Sequence, residues 1–360
     1  MLYVVTEASA EPEHLDAFIG LVRATYGETY RPMWMYDRQS ITTRIAQNDI
    51  KLVLVFRKST TYERPDLLGS AMLNFCYPSR QLVSCGSLMI SPSINSSQSG
   101  PILRLITNTI GEMALRLARE EGLRAMTVNA VTRHTLTQRL IKMIGFTTTG
   151  LLPGLVPGSE EIVENPALDR TMATAGRRAG ATARKRLSEI IAVRPIRSMT
   201  EPYSIVVPTR LARQIDDVYR GLRLPVELLP ATPRGDIARD MRLPKTAVHE
   251  DISEPDRRIA RVEVVAPGRD SVSRLQDQAS EWSRSHAWDT ELVILPFCEQ
   301  IDALVESLLG EGFVFGAVYP KYRSARDALV LQRVDRDSYY LAPSQIYDDI
   351  AQRLYVELCG

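Results

Sequence analysis

The sequence predicts an α/β (α+β) protein of two lobes, each a mixed, mostly antiparallel sheet flanked by helices. Three observations lead there. Short apolar runs of strand length alternate with amphipathic helical segments. In the first half, several strands joined by turn-prone stretches are followed by a strand–loop–helix–strand–helix order, a crossover beside antiparallel strands. Both halves then reach the same ending, Gly-Phe followed at short spacing by Gly and Pro: Gly145, Phe146, Gly150, Pro153 and Gly312, Phe313, Gly316, Pro320. At 360 residues the chain is long for one core, which also favours two domains. The boundary is expected near 197–201, giving a first lobe 1–197 and a second lobe 198–360.

Taken in order, "LYVVTEA" reads as an opening strand, and Pro12 to about Thr25 as a helix with Leu15, Phe18, Ile19 and Val22 on one face. "YGETYRPMWMY" is an aromatic-rich loop and "SITTRIAQND" a short helix. "KLVLVFR", "GSAMLNFCY" and "LVSCGSLMIS" are strands. "PSINSSQSGPILRL" is a polar loop entering a long helix, expected to start near Pro101, with Leu103, Ile106, Ile110, Met113 and Leu117 in register and Gly122 as its stop. "RAMTVNAV" is a strand and "TLTQRLIKMIGF" a helix ending at Gly-Phe. Residues 153–183 are rich in Gly, Ala, Pro and Arg and lack periodicity, so they read as an inserted, exposed loop, after which "LSEIIAVRPI" restores a strand. The second half continues as strand "YSIVVP", helix "RLARQIDDVYRGL", strand "ARVEVVA", helix "SVSRLQDQASEWSRS", strand "ELVILPF" and helix "QIDALVESLLGEGF".

Composition removes several classes of function. A formal net charge of +1 gives no electrostatic case for nucleic acid or an anionic membrane. No apolar run approaches the roughly 20 residues of a spanning helix, and the N-terminal stretch has no secretion signal. The four cysteines and four histidines are dispersed without metal-ligand spacing, so no metal is expected, and reduced thiols suit a cytoplasmic protein.

Two stretches carry chemistry. In "SSQSGPILRL" a small-residue loop runs into a helix, where free backbone N–H groups and the helix dipole make an anion cradle. Gly100 would let backbone approach a phosphate, and Pro101 suits a first helical turn. The bland alternative is a plain capped helix start. The second stretch is the polar cluster Thr132-Arg133-His134-Thr135, set where a strand becomes a helix. No counterpart of "SSQSGPILRL" is evident in the second half.

"ISPSINSSQSGPILRLITNTIGEMALRLAREEG" and "VNAVTRHTLTQRLIKMIGFTTTG" together resemble the pyrophosphate loop and the later strand–helix motif of the GNAT superfamily of acyl-CoA-dependent N-acyltransferases. The resemblance is specific in the first half and looser in the second, and implies tandem GNAT-like lobes, the second degenerate. It implies coenzyme A, as acetyl-CoA or another acyl-CoA, at Met89, Ile90, Ser91, Gln98, Ser99, Gly100, Pro101, Ile102, Leu103 and Thr137. Tyr26, Glu28 and Tyr30 would border the acceptor pocket. Ser97 stands where the family has Arg or Gln, Ile102 at its last Gly/Ala position, and Ile141 where many relatives hold an acidic Tyr. His134 is then a candidate for proton transfer or for orienting the pantetheine arm, and Cys85 a candidate acyl carrier against the alternative of a buried structural thiol. The implied function is N-acyl transfer to an amine of a small molecule or amino acid. A non-catalytic acyl-CoA-binding regulator and a protein-lysine acetyltransferase are the alternatives. The second half is left as a wall of the acceptor site or a homodimer surface.

Overall fold

The computed structural model describes residues 2–5, 11–28, 33–57, 66–94, 96–132, 135–156, 186–196, 202–231, 242–323, 326–335, 339, 341 and 346–359. His134, Tyr30, most of the 153–183 stretch and the residues 58–65 between the second and third strands lie outside them. The described chain falls into two compact units, residues 2–128 and residues 129–156 with 186–359.

The first unit opens with β1 (Leu2–Val5) and α1 (Pro12–Tyr26). A proline in the first turn and Gly27 at φ 72° bracket α1, whose Leu15, Phe18, Ile19, Leu21 and Val22 are buried. A 3-10 turn, Met33–Tyr36, precedes α2 (Arg38–Ala46), and Asp37 caps α2 by accepting the Ser40 N–H at 2.8 Å. Strands β2 (Ile50–Arg57), β3 (Asp66–Asn74) and β4 (Leu82–Ile90) pair antiparallel in sequence order, with β1 on β2. β2 and β3 are buried almost without interruption, which is why they read as continuous apolar runs rather than alternating ones. The long helix α3 (Ser96–Glu120) then crosses over so that β5 (Ala125–Val131) pairs parallel to β4. Gly69 on β3 lets α3 come close, since a methyl there would stand 3.0 Å from Ile102, Ile106 and Ile90. The unit boundary falls inside β5.

The second unit holds α4 (Leu136–Met143), β6 (Thr147–Val156), β7 (Leu187–Pro195), β8 (Tyr203–Val207), α5 (Ala212–Leu222), β9 (Val226–Pro230), β10 (Val248–Asp251), β11 (Ile259–Ala266), α6 (Ser271–Ser285), β12 (Thr290–Pro296), α7 (Ile301–Gly310), β13 (Val314–Arg323), β14 (Arg326–Val334) and α8 (Asp349–Cys359). Its main sheet runs β5-β7-β6-β13-β14-β12-β11-β10, and β8 and β9 form a separate parallel pair. Within it β11 and β12 pair parallel, again joined by a crossing helix, α6.

The repeated Gly-Phe ending becomes two copies of one bent hairpin. β6 slips register against β7 between Thr148 and Gly150 and again between Leu152 and Val156. β13 slips against β14 between Phe315 and Ala317 and between Tyr319 and Arg323. Counted from Gly145 and Gly312, the four positions agree at three, five, seven and eleven residues. Gly154 at φ 64° and Lys321 at φ 58° occupy the same place in the second bulge. β6 and β13 then pair antiparallel on each other at Gly150 and Ala317, the equivalent residues of the two copies.

Three sequence expectations need correction. Residues Pro153–Val156 are no part of an exposed insertion: they extend β6, with Leu155 buried at 4% exposure. α3 starts at Ser96, not near Pro101, so Pro101 stands within the helix. The second half does contain a strand–turn–helix counterpart of the cradle, at β11, Pro267-Gly268-Arg269-Asp270 and α6.

Candidate active site

In the first unit β4 carries a bulge. Ser70 pairs Met89 while Met72 pairs Gly86, and Ser87 takes φ 51° to absorb the extra residue. The Ser87 hydroxyl donates to Met35 Sδ at 3.9 Å, above the fully buried Met35 of the 3-10 turn. After β4, the Ser91 N–H donates to Leu68 O and the Ser91 carbonyl accepts from Ile94 N–H at 2.9 Å, while Ser91 and Ser93 hydroxyls share a 2.9 Å hydrogen bond. Buried Ile94 anchors this loop just before α3.

The first turn of α3 has no acidic residue, so its positive end is uncompensated by its own side chains. Because the helix begins at Ser96, the amides without an intrahelical acceptor are those of its first turn, Ser96 to Gln98. Gly100, Ile102 and Leu103 turn their N–H groups back along the helix, and Pro101 has none. Ile102 is 2% exposed against β3 and Met89 is 1% exposed, so both side chains are packed in the core. Ile90 and Ser91 are half-buried, as are Ser99 and Leu103. Gly100 is exposed, and an added Cβ would meet nothing within 4 Å.

Cys85 sits on β4, and burial pushes its thiol up to about 12, so it stays protonated at neutral pH and is unsuited to carry an acyl group. Tyr26 packs half-buried on the core beneath α1. Glu28 is exposed and pairs with Arg23 at 3.0 Å. The aromatic stretch also supplies a contact not foreseen, the Tyr36 hydroxyl donating to Gly27 O at 2.8 Å.

In the second unit the strand–helix junction is tied down on both sides. The buried Thr132 donates its N–H to Ser188 O of β7 at 2.8 Å. Asn129 Nδ2 donates to Glu189 Oε2 at 2.8 Å. Burial raises the Glu189 carboxyl above the usual range, while Arg257, the Asn129 amide and Arg261 pull it back and Glu254 adds to the rise. Neither Asn129 nor Glu189 was picked out from sequence, although an acid inside the apolar strand "LSEIIAV" was a signal. Thr137 is half-buried. Gln138 is 2% exposed, its Oε1 accepting the Tyr347 N–H at 2.8 Å. Ile141, where a phenol was looked for, is a core residue at 5% exposure.

The counterpart cradle at α6 is filled by the chain itself. Asp270 precedes the helix, and its Oδ1 accepts the Ala247 N–H at 2.6 Å. Arg274 Nη1 donates to Ala247 O at 2.6 Å, and the Gly268 N–H donates to Ser271 Oγ at 2.8 Å. Gly268 is packed so tightly on Thr246 and Ala247 that a Cβ would overlap their backbone. A carboxylate and a strap of chain thus stand where an anion would go.

Among the described residues no group of three or more His, Cys, Asp or Glu side chains could hold a metal ion, and no helix is long and apolar enough to cross a membrane. No family model and no curated protein matches the chain. Solved structures do. One is described as a GNAT-family acetyltransferase from Desulfovibrio desulfuricans, at 12% identity over 55% of this chain and 100% of that chain, TM-score 0.37. Another is a ribosomal-protein-S5-alanine acetyltransferase from Vibrio fischeri, at 11% over 56% and 94%, TM-score 0.36. A third is a spermidine N-acetyltransferase from Vibrio cholerae in complex with CoA and spermine, at 13% over 54% and 95%, TM-score 0.36. The likeness is one of chain fold.

Proposed function

We propose that the chain is a GNAT-like acyl-CoA-dependent N-acyltransferase in which only the first half binds the cosubstrate. The observation that carries this reading is the contrast between two equivalent helix starts. α3 follows a polar loop and keeps open space at Gly100. α6 is closed by Asp270, Ala247 and a sterically locked Gly268. The motif resemblance of "SSQSGPILRL" and "TLTQRLIKMIGF" points the same way.

The amides of Ser96 to Gln98 would hold the pyrophosphate, and the bulged strand β4 would offer backbone groups to the pantetheine arm. The motif resemblance implies that His134 and Thr137 orient that arm. Coenzyme A supplies an activated acyl group, and a free amine attacks its carbonyl carbon. With Ile141 buried, the chain offers no phenol from α4 for the departing thiolate, and positioning supplies much of the rate, which can amount to several kcal/mol. The acceptor is an amine of a small molecule or amino acid. The second half gives β6 an antiparallel partner strand, β13.

Calorimetry with acetyl-CoA, followed by thiol release across a panel of polyamines, aminoglycosides and amino acids, tests the reading. Binding with turnover supports it. Binding without turnover of any amine favours a regulatory acyl-CoA-binding protein, a second reading that the buried Ile141 supports. No binding at all removes both.

A further inference from the structure

We propose that the second unit carries a site for a small carboxylic acid in the opening between β11 and β12, with Arg326 as the group that takes the carboxylate. The site lies wholly within that unit and does not depend on the transferase reading. β11 and β12 pair in parallel from Ile259–Thr290 as far as Glu263–Ile294, yet β11 runs on to Ala266 and β12 to Pro296. Past that point each is held by its outer neighbour instead, β11 by β10 at Val264 and Ala266, β12 by β14 at Leu295 and Pro296. The sheet therefore opens at the carboxyl ends of its parallel pair, where open α/β sheets take ligands. A cavity lies there, with Val265, Ile294, Pro296 and Ala328 as its apolar wall. Its empty space is about 290 Å³ even with the open mouth counted, too little for coenzyme A. The start of α6, closed by Asp270 and Ala247, offers no diphosphate cradle either.

Charge decides the class of ligand. Arg323 and Arg326 are direct cross-strand partners on β13 and β14, and both line the cavity. Like charges so placed repel unless anions offset them. Arg323 has its anions: Nε donates to Glu263 Oε1 at 2.6 Å and Nη2 to Glu250 Oε2 at 2.7 Å. Glu263 also accepts the Tyr322 hydroxyl at 3.2 Å. Asp327, the other acid at the cavity, is buried and engaged by the Tyr203 and Tyr219 hydroxyls at 2.8 and 2.6 Å and by the Lys321 N–H at 2.9 Å. Glu299, which shares with Arg326 the neighbourhood of Cys298, pairs with Arg242 at 4.0 Å. Arg326 is exposed and makes no hydrogen bond or ion pair among the described residues. A guanidinium stays charged throughout the physiological range and binds a carboxylate through two parallel N–H bonds. One unmatched cation beside an apolar wall is the complement of a small monocarboxylate with an apolar body, a free acid or an amino acid.

Calorimetry and thermal melting of the full chain test this with two matched pairs, L-valine with 3-methylbutanoate and glycine with acetate. L-valinamide and sodium chloride at equal ionic strength are the controls. At least one of the acids should bind at a single site and raise the melting temperature. Valinamide, which has no carboxylate, should bind at least about tenfold more weakly than valine. Arg326→Gln changes an exposed side chain without partners. It should weaken binding of the acid at least about tenfold, with the ligand-free melting temperature and any affinity for acetyl-CoA as in wild type. Arg326→Lys keeps the charge but loses the fork, and should fall between the two. Preference for the amino acid of a pair names an amino acid as the ligand, and equal or tighter binding of its partner names a free acid. The proposal is overturned if none of the four acids binds at tens of millimolar, or if chloride or valinamide acts as well as the acids. It is overturned equally if Arg326→Gln and Arg326→Lys bind the acid as wild type does. Failure of acetyl-CoA to bind would remove the transferase reading and leave this site standing.

Discussion

Gly150 leaves no room for a side chain, because an added Cβ would overlap both the Cβ of Ala317 and the carbonyl of Gly316 on β13. Both partners are backbone-bound, so they cannot swing away as a long side chain could. Gly150→Val should cost about 2–4 kcal/mol by forcing the two strands apart. A urea titration would show it as a lower midpoint, and an unchanged midpoint would mean that the β6–β13 contact is not tight. Cys85 offers the opposite kind of test. With its thiol held near 12 by burial, Cys85→Ala should keep transfer within a few-fold of wild type, and the wild-type thiol should react slowly with alkylating reagents at pH 8. Loss of all turnover in the alanine variant would restore Cys85 as an acyl carrier.

Among elements, α3 decides the cofactor question. Gly100 lies inside the helix with open space around it and no left-handed backbone requirement, so it can be changed without unfolding the chain. Gly100→Ala should stabilise the helix by up to about 1 kcal/mol and leave acetyl-CoA affinity within a few-fold. Gly100→Asp should weaken binding at least about tenfold, because a carboxylate would repel the diphosphate at close range. Equal affinity in the two variants, measured by calorimetry, would place the cofactor elsewhere. The helix itself was legible from sequence, since Ile106, Ile110, Met113 and Leu117 keep one apolar face. Its start was not. Pro101 and Gly100 look like a boundary, but Pro is tolerated early in a helix and tertiary packing of Ile102 on Gly69 carries the turn through. β9 and β10 escaped notice because they are short and largely exposed, with no alternating pattern to read. At the site, strand and helix motifs were visible as patterns, whereas the Asn129–Glu189 pair joins residues sixty positions apart and depends on strand order.

At the level of the whole molecule, two features recur along the chain. The bulges of β6 and β13 coincide position for position, and the strands meet at equivalent residues, as duplication of a single unit would leave them. A parallel pair with a crossing helix occurs in each half, β4–α3–β5 and β11–α6–β12. The two helix starts differ in what surrounds them. At α6 the Asp270 carboxylate takes the place of an anion, and the Ala247 strap is held from both sides by Asp270 and Arg274. A diphosphate there would meet a like charge and would have to displace two hydrogen bonds. The chain should therefore bind one acetyl-CoA, not two. Calorimetry of wild type should give a stoichiometry of one, and Gly100→Asp should weaken that single event at least about tenfold without exposing a second. Asp270→Ala should lower the melting temperature, since the Ala247 N–H loses its acceptor, a change worth about 1–3 kcal/mol, yet it should add no second binding event while Gly268 remains packed on Thr246 and Ala247. A stoichiometry of two in wild type would show that the strap moves aside, and the second half would then have to be treated as a site in its own right.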